Sequence, residues 1–122
     1  MPHKILIVDD EPNIVISLEF LMKKEGFEVA VAGDGEEALA CVASFNPDLI
    51  LLDVMMPKKS GFEVCEALRA DPGRAGLKII MLTAKGRDTE MAKGLAIGAD
   101  AYVTKPFSTK ELVDTVKEMF IV

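Results

Sequence analysis

Leu49-Ile50-Leu51-Leu52-Asp53-Val54-Met55-Met56-Pro57 decides how this 122-residue chain is read. An unbroken apolar run is typical of a strand buried on both faces of a parallel sheet. This run ends on a carboxylate, with a proline just beyond it. In open α/β sheets ligands bind outside the carboxyl ends of the strands, so Asp53 is expected at the mouth of a site. Taken alone, an aspartate there would equally serve as a turn or helix cap. The rest of the chain separates the two readings.

On either side of this run, strand-like and helix-like segments alternate. Upstream, Lys4 to Val8 is a β-branched apolar run closing on Asp9-Asp10-Glu11. Pro12 then sits where a first helical turn tolerates it, and a helix is expected to about Glu25, stopped by Gly26. Ile14, Ser17, Leu18 and Leu21 are expected on its inner face. Phe27 to Ala32 reads as a second strand, and Asp34 with Glu37 as a capping box for a helix through about Ser44. Downstream, Ser60 and Glu63 form another box, opening a helix that ends near Asp71-Pro72-Gly73. Lys78 to Thr83 reads as a strand, Asp88 to Gly98 as a helix, and Ala101 to Thr104 as a short strand. Ser108 and Glu111 cap a last helix whose Leu112, Val113, Val116, Met119 and Phe120 share a face.

Five strands alternating with five helices imply a doubly wound α/β fold, because parallel strands need long right-handed crossovers. The five-strand version commonly runs 2-1-3-4-5, with its switch point between the first and third strands. Asp9, Asp10 and Asp53 come from those two strand ends. Topology and carboxylate placement therefore converge on one crevice.

Composition narrows the rest. A chain of this length makes one domain, here residues 1–122. Half of its residues are hydrophobic and mean hydropathy is +0.27, which argues against disorder. No apolar run approaches the roughly 20 residues of a membrane span, so a cytoplasmic protein without membrane contact is expected. Net charge −6 opposes direct nucleic-acid binding. Cys41 and Cys65 fall on different helices without metal-ligand spacing and are expected to be reduced structural residues.

Three carboxylates in one crevice repel one another by several kcal/mol unless a cation joins them. Oxygen-only ligands suit Mg²⁺, which also keeps waters and phosphate oxygens. At the same sheet edge Thr83 supplies a hydroxyl and Lys105 an ammonium. Together these are the parts that phosphoryl transfer to an aspartate requires: a nucleophile, charge neutralisation and positioning groups. Each residue alone has an ordinary reading as cap, β-former or solvated lysine. Their gathering from four strand ends does not.

The segments ILIVDDE, LILLDVMMPKKSG, IIMLTA and GADAYVTKPF, in that order, resemble a two-component response-regulator receiver domain across essentially the whole chain. The resemblance implies a flavodoxin-like fold with Asp53 as phosphoacceptor. Asp10 would ligate Mg²⁺ directly, Asp9 through water, and the Met55 backbone carbonyl would complete the protein's ligands. Thr83 and Lys105 would bind the phosphoryl group, Tyr102 would be the switch aromatic, and the Lys105-Pro106 bond would be cis. Implied partners are a sensor histidine kinase or histidine phosphotransfer protein, and a downstream protein target or fused effector. Such a domain is a signalling phosphoacceptor, catalysing only its own phosphorylation and dephosphorylation. Met55 and Lys85 occupy positions that would tune phosphoryl lifetime. Ile16 and Phe20, one turn apart on the first helix, are expected either to pack on the last helix or to receive the kinase.

One departure stands out. Winged-helix members often carry a second acid where Ala101 stands, which puts their dimer through the fourth helix, fifth strand and fifth helix in question. Other functions fit less well. An aspartyl-phosphate phosphatase would want a second aspartate at position 55, which is Met. An FMN carrier would need a hydroxyl-rich phosphate loop where Asp9-Asp10-Glu11 stands. A degenerate receiver, acting as a phosphorylation-independent binding module, would lack Asp, Thr or Lys, and none is lacking. The chain is expected to be either a stand-alone regulator or a receiver from a longer protein.

Overall fold

The computed structural model describes residues 3–54, 56, 60–84, 88–105 and 107–120. Within them, β1 (Lys4–Val8), β2 (Glu28–Ala32), β3 (Leu49–Asp53), β4 (Lys78–Ala84) and β5 (Ala101–Lys105) form one parallel sheet in the order β2-β1-β3-β4-β5. Helices α1 (Pro12–Lys24), α2 (Gly35–Phe45), α3 (Gly61–Arg69), α4 (Asp88–Ile97) and α5 (Thr109–Glu118) connect or follow the strands. The expected order is thus observed. Strands β4 and β5 each run one residue further than the sequence suggested, so Lys105 lies on the ladder, paired with Ala84, rather than beyond it.

Strand alternation sorts the core into two layers. Ile5, Ile7, Leu49, Leu51, Ile80, Leu82 and Val103 face α1 and α5, packing on Leu18, Met22, Leu112, Val113 and Val116. Leu6, Val8, Ile50, Leu52, Ile79 and Met81 face α2 and α3, packing on Val42, Val64, Cys65 and Leu68. Each fully buried Leu or Ile contributes about 1.5–3 kcal/mol relative to an exposed one. Central β3, buried along its whole length, is therefore the most firmly held strand. Asp53 at its tip inherits that rigidity.

Helix starts follow the local chemistry. Ser60 and Glu63 form the full reciprocal box, and Ser108 Oγ accepts from Glu111 N at 3.0 Å. Asp34 accepts from Glu37 N, but the Glu37 carboxylate reaches Gly33 N instead of closing a box on Asp34. Helix α2 ends at Phe45, one residue past the expected Ser44, with Asn46 as its cap in the left-handed region.

The α1 expectations need two corrections. Ser17 is exposed, while Met22 is fully buried beside Leu18. Ile16 and Phe20 are 64% and 69% exposed, so they do not pack on α5. Met119 and Phe120 lie past the end of α5 but still cover its core layer, Phe120 stacking on His3 with ring centroids 3.9 Å apart. Both cysteines are free, and burial pushes their thiols above the ordinary range, so neither is primed as a nucleophile.

At the edge opposite Asp53, Arg69 ties three segments together. Its guanidinium donates to Leu77 O at 2.7 Å, Gly98 O at 2.8 Å and Asp100 Oδ2 at 2.7 Å. The same Asp100 oxygen accepts from Ile79 N at 2.7 Å. The single acid kept in the GADA segment is thus spent inside the molecule.

Candidate functional site

Parallel strands deliver their carboxyl ends to one edge, and register decides which side chains meet there. Ile5, Ile7 and Asp9 share one parity, as do Leu49, Leu51 and Asp53, and Ala101, Val103 and Lys105. All three end residues follow the alternation that faces α1 and α5. Accordingly Lys105 Nζ donates to Asp9 Oδ2 at 2.8 Å and lies 3.6 Å from Asp53 Oδ1. Thr83 follows Ile79 and Met81, so it alternates with the other layer, the one Tyr102 packs against.

Asp9 and Asp53 are buried, at 1% and 6% exposure, whereas Asp10 is open to solvent. Asp9 is fixed a second time by Glu11 N, which donates to its Oδ1 at 2.9 Å. One carboxylate oxygen from each of Asp9, Asp10 and Asp53 lies within 4.8 Å of the others. Three carboxylates facing one ammonium leave the crevice with excess negative charge. At such separations each unit pair interacts by about 4 kcal/mol at an effective dielectric near 20. Burial pulls the Lys105 ammonium down, but its hydrogen bond to Asp9 and the charges of Asp53, Asp9 and Glu11 outweigh this and leave it above the ordinary lysine value.

The donor set fits a hard divalent cation. It offers carboxylate oxygens alone, and exposed Asp10 leaves one side open to water. Thr83 points to a second ligand. It is 2% exposed, and its hydroxyl has no hydrogen-bond partner among the described residues. A buried hydroxyl left unpaired costs about 1–3 kcal/mol, so such groups call for an explanation.

Five of the singled-out residues, Asp9, Asp10, Asp53, Thr83 and Lys105, stand at this edge, and Tyr102 sits on β5. The Met55 carbonyl, Lys85 and Pro106 lie outside the described residues. Two neighbours were not singled out from sequence. Glu11 Oε1 approaches Lys105 Nζ to 3.8 Å. Gly61 opens α3 directly beneath the end of β3, where an added Cβ would fall 2.3 Å from the Asp53 carbonyl oxygen. The small residue straight after the Ser60 cap was the available signal.

Comparisons with known proteins cover nearly the whole chain. The family model described as "Response regulator receiver domain" matches residues 5–117. The "DNA-binding response regulator MtrA" of Mycolicibacterium smegmatis is 48% identical over 117 residues, 96% of this chain and 50% of that protein. The chain thus spans about half the length of the curated relatives it matches. Among solved structures, chemotaxis protein CheY4 of Vibrio cholerae superposes with a TM-score of 0.92 at 33% identity, covering 98% of this chain and 100% of that one. The receiver domain of a Syntrophus aciditrophicus signal-transduction histidine kinase gives 0.89 at 31% identity, covering 96% and 89%.

Proposed function

We propose a function that starts from kinship: this chain belongs to the response regulator receiver domain family of two-component signalling, and Asp53 is its phosphoacceptor. The observation that carries the reading is the meeting of Asp9, Asp10 and Asp53 with Lys105, beside a buried hydroxyl on Thr83 that has no hydrogen-bond partner among the described residues. An Asp53 carboxylate oxygen would attack the phosphorus of a phosphohistidine, forming the O–P bond as the P–N bond breaks and imidazole leaves. Asp10, Asp9 through water, Asp53 and the Met55 carbonyl would hold Mg²⁺, which when bound supplies charge neutralisation for the phosphoryl oxygens. Lys105 would exchange part of its contact with Asp9 for a phosphoryl oxygen, and Thr83 would donate to another. The direct test is Mg²⁺-dependent labelling of Asp53 by acetyl phosphate.

We read the whole of residues 1–122 as this one receiver, acting as a signalling domain and turning over only its own phosphoryl group. No helix among the described residues is long and apolar enough to cross a membrane, which is consistent with cytoplasmic work. The net charge of −6 opposes contact with nucleic acid, so output would pass through a protein target or fused effector.

The switch would begin at Thr83. Drawing its hydroxyl toward Asp53 vacates room on the layer where Tyr102 packs, and Tyr102 would move in. The face formed by α4, β5 and α5 would then read out the state. With beryllofluoride as phosphoryl mimic, NMR shift changes should run from Asp53 through Thr83 to Tyr102. In Thr83→Ala the mimic should still bind while the changes at Tyr102 shrink; undiminished changes would disprove the coupling.

Ile16 and Phe20 are exposed on α1, and Ile14 and Ser17 of the same helix line an apolar hollow with Lys105, Phe107 and Thr109. This surface suits the histidine-bearing helices of a kinase, with the two side chains as anchors. Ile16→Ser should slow phosphotransfer from the kinase about tenfold, the scale of a lost anchor, and leave acetyl phosphate labelling intact. Equal loss of both reactions would refute a docking role.

A further inference from the structure

Among the described side chains, helix α3 meets α4 through Phe62 and the residues just past α4 through Arg69, and its own first residue is jammed against the site. Gly61 N donates to Val54 O at 2.9 Å, and the Cβ position of Gly61 is 2.9 Å from Val54 Cα. No slack separates the end of β3 from the start of α3. The next residue, Phe62, packs half-buried on the α2–α3 layer and carries the exposed Lys93 of α4, whose Nζ is 4.5 Å from its ring centroid. At the far end of α3, Arg69 donates to Gly98 O at 2.8 Å and Asp100 Oδ2 at 2.7 Å, just past the end of α4. Gly98 has a φ of +127°, and a Cβ there would meet Arg69 Cγ at 2.9 Å. The backbone turn and the close approach both demand glycine.

The two grips differ in kind. Arg69 makes several hydrogen bonds, one to a carboxylate, in a partly buried setting, and such bonds are the strong ones. The Lys93–Phe62 contact is one cation–π pair at an exposed lysine, which is weak and easily given up. The hold of α3 is therefore strong just past the C-terminal end of α4 and weak at Lys93, and it comes from the helix that abuts Asp53.

We propose that α3 is a releasable clamp on α4: the Phe62–Lys93 contact belongs to the unphosphorylated arrangement, and a phosphoryl group on Asp53 loosens it while Arg69 remains the pivot. This rests on the phosphoacceptor reading and adds a second arm to the Thr83–Tyr102 route. β3 stays fixed while charge and bulk added at Asp53 press on α3, whose Gly61 has no free space against the β3 end, so α3 yields and Phe62 shifts under Lys93. Giving up a weak contact costs little, so the clamp biases the equilibrium without blocking it.

Two variants test it. Phe62→Leu keeps an apolar side chain and removes the ring face, while Lys93→Met removes the charge at an exposed position and leaves folding alone. Each should raise the affinity for beryllofluoride with Mg²⁺ about two- to fivefold, the scale of one exposed cation–π contact shifting a two-state equilibrium. The double variant should show no further gain, because both changes remove one contact. Without the mimic, hydrogen exchange within α4 should be faster in both variants, with the amides at Gly98 and Asp100 unchanged. Unaltered or lowered affinity, additive effects, or unchanged α4 exchange would overturn the clamp. Failure of wild type to bind beryllofluoride, or equal binding by Asp53→Ala, would instead overturn the phosphoacceptor reading. The exchange comparison needs no mimic and still decides on the clamp.

Discussion

Incubated with acetyl phosphate and Mg²⁺, the wild-type chain should gain one phosphoryl group by intact mass, and Asp53→Ala none. Three carboxylates share the crevice, yet their surroundings differ. Asp9 is wholly buried, accepts from Lys105 and Glu11 N, and has its oxygens committed. Asp10 is exposed, without a lysine contact among the ion pairs of the described residues. Asp53 is buried like Asp9, but its Oδ1 lies 3.6 Å from the ammonium instead of at the 2.8 Å of Asp9, and it ends the strand buried along its full length. A nucleophile held this rigidly has its orientation entropy settled before reaction. Chelating Mg²⁺ should also abolish labelling, because the excess negative charge then repels the anionic donor. The variant should be at least as stable as wild type, since removing one of three clustered carboxylates relieves repulsion. Full labelling of Asp53→Ala would end the assignment; loss of folding in it would show Asp53 to be structural.

Gly61→Ala should lower stability by about 2–3 kcal/mol, in the range of overpacking into a rigid neighbour. For a domain of this size that is a drop of roughly 10 °C in Tm. The new Cβ would fall 2.3 Å from the Asp53 carbonyl oxygen and 3.0 Å from its carbonyl carbon. Those are backbone atoms of the central strand, so no side-chain rotation relieves the clash. Relief has to come from moving α3 or the β3 end, and either displaces Asp53. Labelling by acetyl phosphate should therefore slow in the portion that stays folded. A Tm within a degree or two of wild type would mean that α3 has slack against β3, and would remove the mechanical premise of the clamp as well.

Ser60→Ala offers a useful contrast in kind: it would remove a cap, a local feature of chain neighbours, whereas Gly61 answers to a strand end eight residues back. Much of this protein is of the first sort. The apolar-run patterns, the proline opening α1, and the Ser60 and Ser108 caps are set by residues within a turn of one another, and they located β1 to β5 and α1 to α5 to within about two residues. Once five such pairs alternate, chirality and crossover length leave few sheet orders, and the switch point between β1 and β3 follows with its carboxylates.

Tertiary structure alone decided the pairings. Lys105 lies 96 residues from Asp9, and whether it meets Asp9 at 2.8 Å or Asp53 at 3.6 Å depends on register across four strands. No local pattern encodes that register. The exposure of Ile16 and Phe20 depended on how far α5 reaches around the sheet, which amphipathicity does not report because it gives a face and not its neighbour. Arg69 and Asp100 form the staple just past α4, since long side chains find their partners only after the helices are packed. The sequence by itself determined what stands at each strand end. Contact across the sheet decided which of those groups touch, because hydrogen bonds and ion pairs act over a few ångströms that the chain closes only on folding.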